Sequence, residues 1–339
     1  MNTRRPSVSQ IPITHHPGSK AVPIINGCAS GELNQKAHER LGRYLPVDEE
    51  DEVVKLLNLF IDLLPENGSA VLSHDVINQE NDAELRQLYN HLIDAMLKPM
   101  RSLSGTTPVT SNSPRSTACA GDITNPKVAS RRNYSSLKNE CLKRDAYRCQ
   151  VCGIWDRNSV QLHKEVLEAK ERSNGRVSPT EVAHILPGAL GKFDEDNAAQ
   201  AENKRIIWEC LRRYFSGLDE VISMQSIDSA SNALTLTRGI HSNFSSLDIT
   251  LEETSQPDVY NIIRYIADDD IELDYLPHGE IILRHSDNSI PMPNPFILSV
   301  HATIGRILHK SGLAEHLDAL MGQHGMPARI EPSKFLVLT

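Results

Sequence analysis

The 339-residue chain lacks any apolar run approaching the roughly 18 residues that a membrane-spanning helix needs, so no such span is expected. Its first residues, MNTRRPSVSQIPITHHPGSK, lack the continuous apolar stretch of a secretory signal. Cysteine is sparse. Six in the whole chain do not make a disulfide scaffold, and without an export signal the expected setting is a reducing nucleus or cytoplasm. An excess of positive charge is missing too: 35 Lys and Arg against 44 Asp and Glu leave −9. Nothing in the bulk charge draws the chain to nucleic acid, and any such binding needs a local basic patch. No internal repeat is present.

What is present divides the chain. Residues 1–45 are rich in Pro, Ser, Asn and Gly without a period and read as a disordered tail. Residues 46–103 read as a helical hairpin. Acidic residues fill the first turn of DEEDEVVKLLNLFIDLLP, and Pro65 stops it. A second helix starts near Asp82, with Leu85, Leu88, Tyr89, Leu92, Ile93, Met96 and Met100 on one stripe. The two stripes pack on each other or on the main domain, and self-association through 46–103 is the alternative. Residues 104–130 form a Ser/Thr/Pro-rich linker. Residues 131–255 hold the chemistry, and residues 256–339 form a C-terminal extension packed on that domain. The extension reads as strands at VYNIIRYIADD and GEIILRHS, then a helix capped by Asn294 with Pro295 at its first position and broken at Ser311-Gly312.

From Lys127 to Arg148 the charge changes sign. Lys127, Arg131, Arg132, Lys138, Lys143, Arg144 and Arg148 against Glu140 and Asp145 give seven minus two, or +5. The stretch is either a solvated helix face or a patch that tracks phosphates. Trp208, Tyr214 and Phe215 on KRIIWECLRRYF lie at the spacing of a core face, with Arg212 and Arg213 on the opposite side as candidates to meet phosphate.

The stretch EVAHILPGAL sets His184 among apolar residues. Forty-eight residues later, Asn232 precedes a strand in which Leu234 and Leu236 alternate with Thr235 and Thr237, the pattern of half burial. His241 follows on the short helix RGIHSNFSSL. The order is strand, long connection, strand and helix, with His, Asn and His at the corners. Phosphodiester hydrolysis needs a base for water and something to absorb charge on the phosphate. Imidazole, with an ordinary pKa near 6.5, suits the first task and a divalent ion the second.

This arrangement resembles the HNH, or ββα-metal, endonuclease motif. It is closest to the HNH nuclease domains of many filamentous-fungal proteins, on VAHILPG, RIIWECLRRYF, NALTLTRGIHSNF, the preceding CQVCG and the tail PNPFILSVHATIGRILHKSG. The likeness spans roughly residues 131–325. It implies an α+β protein with a ββα core, helical insertions, an N-terminal helix pair and a C-terminal strand-plus-helix extension. It implies a metal-dependent nucleic-acid endonuclease, acting on DNA ahead of RNA. His184 maps to the general base, Asn232 to the residue that fixes the loop, and His241 to a ligand of one divalent ion, Mg²⁺ or Mn²⁺. Many HNH nucleases carry a ligand just before the base, where this chain has Ala183, and some carry one a turn after the last His, where it has Ser245. Asp228 is a candidate helper, and Glu181 falls on the strand face opposite His184. The alternative function is a non-catalytic nucleic-acid- or protein-binding module on a degenerate HNH scaffold. Cys149 and Cys152 form a CxxC with no second CxxC after it, so two buried thiols are expected there rather than a structural zinc.

Overall fold

The computed structural model describes residues 30–102, 126–191, 197–266, 275–317 and 330, and among these the side chains of all but 102 and 126–133. It begins with α1 (Ser30–Leu41), α2 (Val53–Leu63), α3 (Glu66–Ile77) and α4 (Asp82–Leu92), which runs through a π-helical turn into α5 (Lys98–Ser102). Next come α6 (Pro126–Arg144), β1 (Trp155–Asp156), α7 (Arg157–Leu162), α8 (Lys164–Arg172), β2 (Val177–Ser178) and β3 (Thr180–His184). Then follow α9 (Ala198–Tyr214), α10 (Leu218–Val221), β4 (Ala233–Thr237), α11 (Arg238–Ser245), β5 (Ile249–Glu253), β6 (Val259–Arg264), β7 (Glu280–Ile282) and α12 (Pro295–Ser311). The class is α+β, with a β1–β2 pair, a β3–β4 pair and a β5–β6–β7 sheet. Among the described residues no helix is long and apolar enough to cross a membrane.

The N-terminal helices differ from the sequence expectation in two places. Helix α1 lies inside the stretch read as disordered. Its composition is polar, but Leu33, Ala37 and Leu41 recur every fourth residue and are buried, with α3 as the main neighbour. Helix α3 makes a third member of what was read as a hairpin. Its buried residues mix Gly68, Ser69, Ser73 and Asp75 with Val71, Leu72 and Val76, which hides the period. Ser73 Oγ donates to Asn34 Oδ1 at 2.9 Å, and Asn34 Nδ2 donates to Ser69 Oγ at 3.0 Å. Gly68 packs so closely on α9 that a Cβ there would lie 2.0 Å from the Tyr214 carbonyl oxygen. The stripes of α2 and α4 (Leu56, Phe60, Leu85, Leu88, Leu92) are buried within this one chain, in a core continuous with α9 and α12.

Trp208 and Tyr214 are core residues, as their spacing suggests. The arginines beside them do not face outward to phosphate. Arg213 Nε donates to the buried Asp75 at 2.9 Å, which also accepts from Tyr214 OH at 2.9 Å, and Arg212 lies 5.3 Å over the Trp208 ring and pairs with Asp219. The demand of the buried Asp75 carboxylate for donors sets the direction of Arg213.

Helix α6 starts at Pro126, inside the stretch read as linker; residues 104–125 of that stretch lie outside the described residues. It covers one face of the β3–β4 pair through Tyr134, Leu137 and Cys141, which cluster with Val182 and Ala233. Helix α11 covers the other. Strand β4 is therefore buried along both faces, not half-buried as its Leu-Thr alternation suggests. The C-terminal extension continues the same body: β6 pairs with β5 antiparallel, Ile249 opposite Arg264, and α12 packs on β5. Asn294 Oδ1 accepts from the backbone N–H groups of Phe296 and Ile297, with Pro295 at the first turn.

His301 of α12 joins the extension to α11. Its ring stacks on Phe244 at 4.1 Å, and its Nε2–H donates to the Phe244 carbonyl at 3.0 Å. Burial pushes its pKa down to about 4. Between pH 6.5 and 4 the unfolded chain takes up this proton while the folded chain refuses it, so stability falls as pH drops through that window. The loss is about 3 kcal/mol. Denaturant unfolding of wild type and His301→Gln at pH 7 and pH 4.5 checks this: the wild type is expected to lose more stability, and equal losses would refute it.

Candidate active site

In the antiparallel β3–β4 pair, Glu181 stands opposite Leu236, Val182 opposite Thr235, Ala183 opposite Leu234 and His184 opposite Ala233. Opposed residues share a face and neighbours alternate. His184 and Val182 therefore lie on the α6 face, and Glu181 and Ala183 on the α11 face.

Each histidine meets its own carboxylate. On the α11 face, His241 Nδ1 is 2.8 Å from Glu181 Oε2, while Arg238 Nε donates to Glu181 Oε1 at 3.2 Å. The hydrogen bond from His241, aided by Arg238, holds the Glu181 carboxyl down at about 2 against the effect of its own burial. On the α6 face, His184 Nε2 is 2.9 Å from Asp228 Oδ1. A carboxylate only accepts, so each ring donates at the named nitrogen and its tautomer is set. Both rings are largely buried, 6% and 5% exposed. The other nitrogens, His184 Nδ1 and His241 Nε2, have no hydrogen-bond partner among the described residues and are not sealed from solvent. Each is left with a lone pair to offer.

Asn232 is fully buried and its amide is fully used. Its Oδ1 accepts from the Leu186 N–H at 2.9 Å, and its Nδ2 donates to the carbonyls of Leu186 at 2.9 Å and Ile227 at 3.0 Å. It staples the start of the β3–β4 connection to its end, and so places Asp228 beside His184. It is a positioning residue with no amide group left for a substrate. Gly188 closes the ring's other side: a Cβ there would lie 2.9 Å from His184 Cε1.

On the α11 face, Ala183 is fully buried and offers no donor. Ser245, one turn beyond His241 and on the same side of α11, is buried with an Oγ that lacks a hydrogen-bond partner. Among the described residues no group of three or more His, Cys, Asp or Glu gathers as a metal cage. The donors that remain on this face are His241 Nε2 and the buried Ser245 Oγ, with the Glu181 carboxylate behind the His241 ring and already engaged by Arg238 and His241. A divalent ion at His241 Nε2 would take most of its ligands from water and phosphate oxygens.

The basic stretch is partly structural. Arg144 is wholly buried, Arg148 lies 3.6 Å over the Trp155 ring, and Lys138 Nζ donates to the Thr180 carbonyl at 2.9 Å. The side chains of Lys127, Arg131 and Arg132 lie outside the described residues. Lys138 and Lys143 line a cavity of about 480 Å³ with Tyr147 and His163. Of the two CxxC thiols, Cys149 is buried as expected, while Cys152 is partly exposed.

Residues 149–252, which contain the whole β3–β4–α11 unit, match the family model described as HNH endonuclease. The chain carries an HNH domain. No curated protein and no solved structure matches the chain. In this HNH domain the role of Glu181 is not evident from the sequence, where strand alternation shows only that it lies on the face away from His184. That face is the one where Ala183 sits and α11 packs, so alternation read from Ala183 points to Glu181 as a neighbour of His241. Asp228, expected from the sequence as a helper of the metal, lies on His184. Gly188 carried no signal, because its role rests on a contact with a ring four residues away.

The glycine contact is testable. Gly188→Ala is expected to displace the His184 ring, shifting its imidazole NMR signals and lowering stability by about 1–3 kcal/mol. Unchanged ring signals would show that the site tolerates the methyl group.

Proposed function

We propose that this HNH domain makes the protein a metal-dependent nucleic-acid endonuclease, with DNA the first substrate to test. The observation that carries the reading is the pair of carboxylate-bound histidines on the two faces of β3, each with its second nitrogen free. His184 Nδ1 is the base: it takes the proton of a water that attacks the phosphorus, while Asp228 holds the ring through Nε2–H. Asn232 keeps the connection that carries Asp228 in place. His241 Nε2 would hold a divalent ion, Mg²⁺ or Mn²⁺. Glu181 behind the ring fixes the tautomer that offers this nitrogen, the usual arrangement of a ligand histidine backed by a carboxylate. When bound, the ion would supply positive charge to the phosphate and the departing 3′ oxygen. His184 then needs to serve only as base.

The experiment is nicking of supercoiled plasmid by the purified full chain with Mg²⁺ or Mn²⁺. His184→Ala is expected to abolish nicking while leaving ion binding intact. His241→Ala is expected to remove ion binding measured by calorimetry. Glu181→Gln is expected to weaken that binding roughly 10–100-fold. Undiminished nicking by His184→Ala would overturn the assignment. Nucleic-acid binding by wild type without nicking under any divalent ion would favour the non-catalytic module, the reading that Ala183 supports.

A further inference from the structure

The CxxC turn sits beneath the start of α11. Cys152 N–H points at Cys149 Sγ at 3.4 Å, and the two thiols are themselves in hydrogen-bond contact. Thr237 lies against the pair, its backbone N–H facing the Cys149 sulfur and its side chain facing Cys152, and the turn is tied to β4 by Gln150 N–H, which donates to the Thr235 carbonyl at 2.8 Å. Thr237 is the last residue of β4 and the N-cap of α11, the helix that bears Arg238 and His241. Cys149 is buried and Cys152 is partly exposed. Burial works against ionisation of Cys149, yet the bonds from the Cys152 thiol and from the backbone N–H groups of Cys152, Thr237 and Val151 bring its pKa down to about 7. Cys152, which donates the shared proton, is pushed up by that bond. When the reduced pair ionises, its charge is held on the Cys149 sulfur, the one that Thr237 N–H addresses.

We infer that Cys149 and Cys152 form a reversible dithiol–disulfide site whose state is passed to α11 through Thr237. The oxidant is a small disulfide of the glutathione type. The shared proton passes to Cys149, and the exposed Cys152, now the thiolate, attacks one sulfur of that disulfide, breaking its S–S bond and releasing one glutathione thiolate. Cys149 gives its proton to that thiolate and, as thiolate, attacks the Cys152 sulfur, forming the internal S–S bond and expelling the second glutathione thiolate. Water supplies the proton of the second glutathione thiol where the pair starts ionised, and the two electrons of the pair reduce the small disulfide. Closure replaces an anionic acceptor by a neutral disulfide, so Thr237 N–H loses its charged partner and the start of α11 must readjust. Because α11 carries Arg238 and His241 onto Glu181, the change reaches that contact.

The full chain would be equilibrated at about pH 7 in a series of reduced-to-oxidised glutathione ratios, then alkylated and mapped by mass. Imidazole NMR signals of His241 would be recorded at the two ends of the series. The expected result is loss of two alkylation sites together at Cys149 and Cys152, with a His241 shift that a dithiol reductant reverses. Cys152→Ser is expected to hold the His241 signals constant across the series. A pair that stays alkylated in fully oxidised glutathione, or only a glutathione adduct at Cys152, would overturn the site. A disulfide without a His241 shift, or a shift that persists in Cys152→Ser, would overturn the relay. A consequence for ion binding rests on the nuclease reading above, whereas these readouts do not, so the two can fail separately.

Discussion

The buried pair Arg144–Asp145 is the constraint on which the placement of the HNH unit depends. Two adjacent charged residues at the end of α6 are both fully removed from solvent. Arg144 donates to Asp145 and to the carbonyls of Ala230, Ala233 and Pro291 at 2.6, 2.8 and 3.1 Å. Asp145 accepts in turn from the Thr235 N–H at 2.9 Å and from Gln150 at 2.7 Å. Gln150 donates onward to the Arg284 carbonyl and accepts from the Arg284 N–H, both at 2.7 Å. A buried ion pair is weak evidence of net stabilisation, but breaking one by removing a partner costs about 3–5 kcal/mol, because a charge is stranded. The chain has therefore tied α6, the start of β4 and the C-terminal extension to one arrangement in which the Arg144 guanidinium and the Asp145 carboxylate are both met.

That arrangement determines what the two histidines can reach. With α6 fastened across one face of β3–β4 and α11 across the other, a residue on β3 belongs to one helix or the other by parity alone. His184 falls on the α6 face and meets Asp228; Glu181 falls on the α11 face and meets His241. A shift of one residue in register would exchange the faces and break both pairs. Register here is held by the knot at Thr235, by Asn232 at the β3 exit, and by burial of both strands. The two carboxylate–histidine contacts follow from this packing.

The sequence carries the strand–strand–helix order, because Leu-Thr alternation, a helix-forming run and three polar residues at the right separations are local or regularly spaced. Asn294 and Pro295 mark the start of α12 for the same reason. Helices α1 and α3 are hidden in the sequence, since α1 sets only Leu33, Ala37 and Leu41 in a polar run and α3 mixes Gly68, Ser69, Ser73 and Asp75 with its buried apolar residues, and the burial of the polar ones depends on partners far along the chain. Arg144 looked like part of a basic patch, because nothing in Lys143-Arg144-Asp145 says which of the two cations turns inward. The carboxylate partners escaped for a third reason. Asp228 and Glu181 are separated from their histidines by 44 and 60 residues. Only the register of β3 against β4 and the docking of α11 bring them close.

Ala183 fits the same physics. It is fully buried between β3 and α11, in the continuous apolar core that includes Leu234, Ile240 and Phe244. An Asp in its place would be desolvated, and without an ion to neutralise it the cost would run to several kcal/mol. Such a domain would need its metal in order to fold, as many small metal sites do. With Ala183 the β3–α11 interface closes on an apolar contact at this position, and the acidic residue of this face is Glu181, two positions back, where Arg238 and His241 already donate to it. Folding of the proposed site thereby needs no ion. The ligand histidine of the proposed site is held ready by protein groups, and its free nitrogen does not depend on the ion for its orientation.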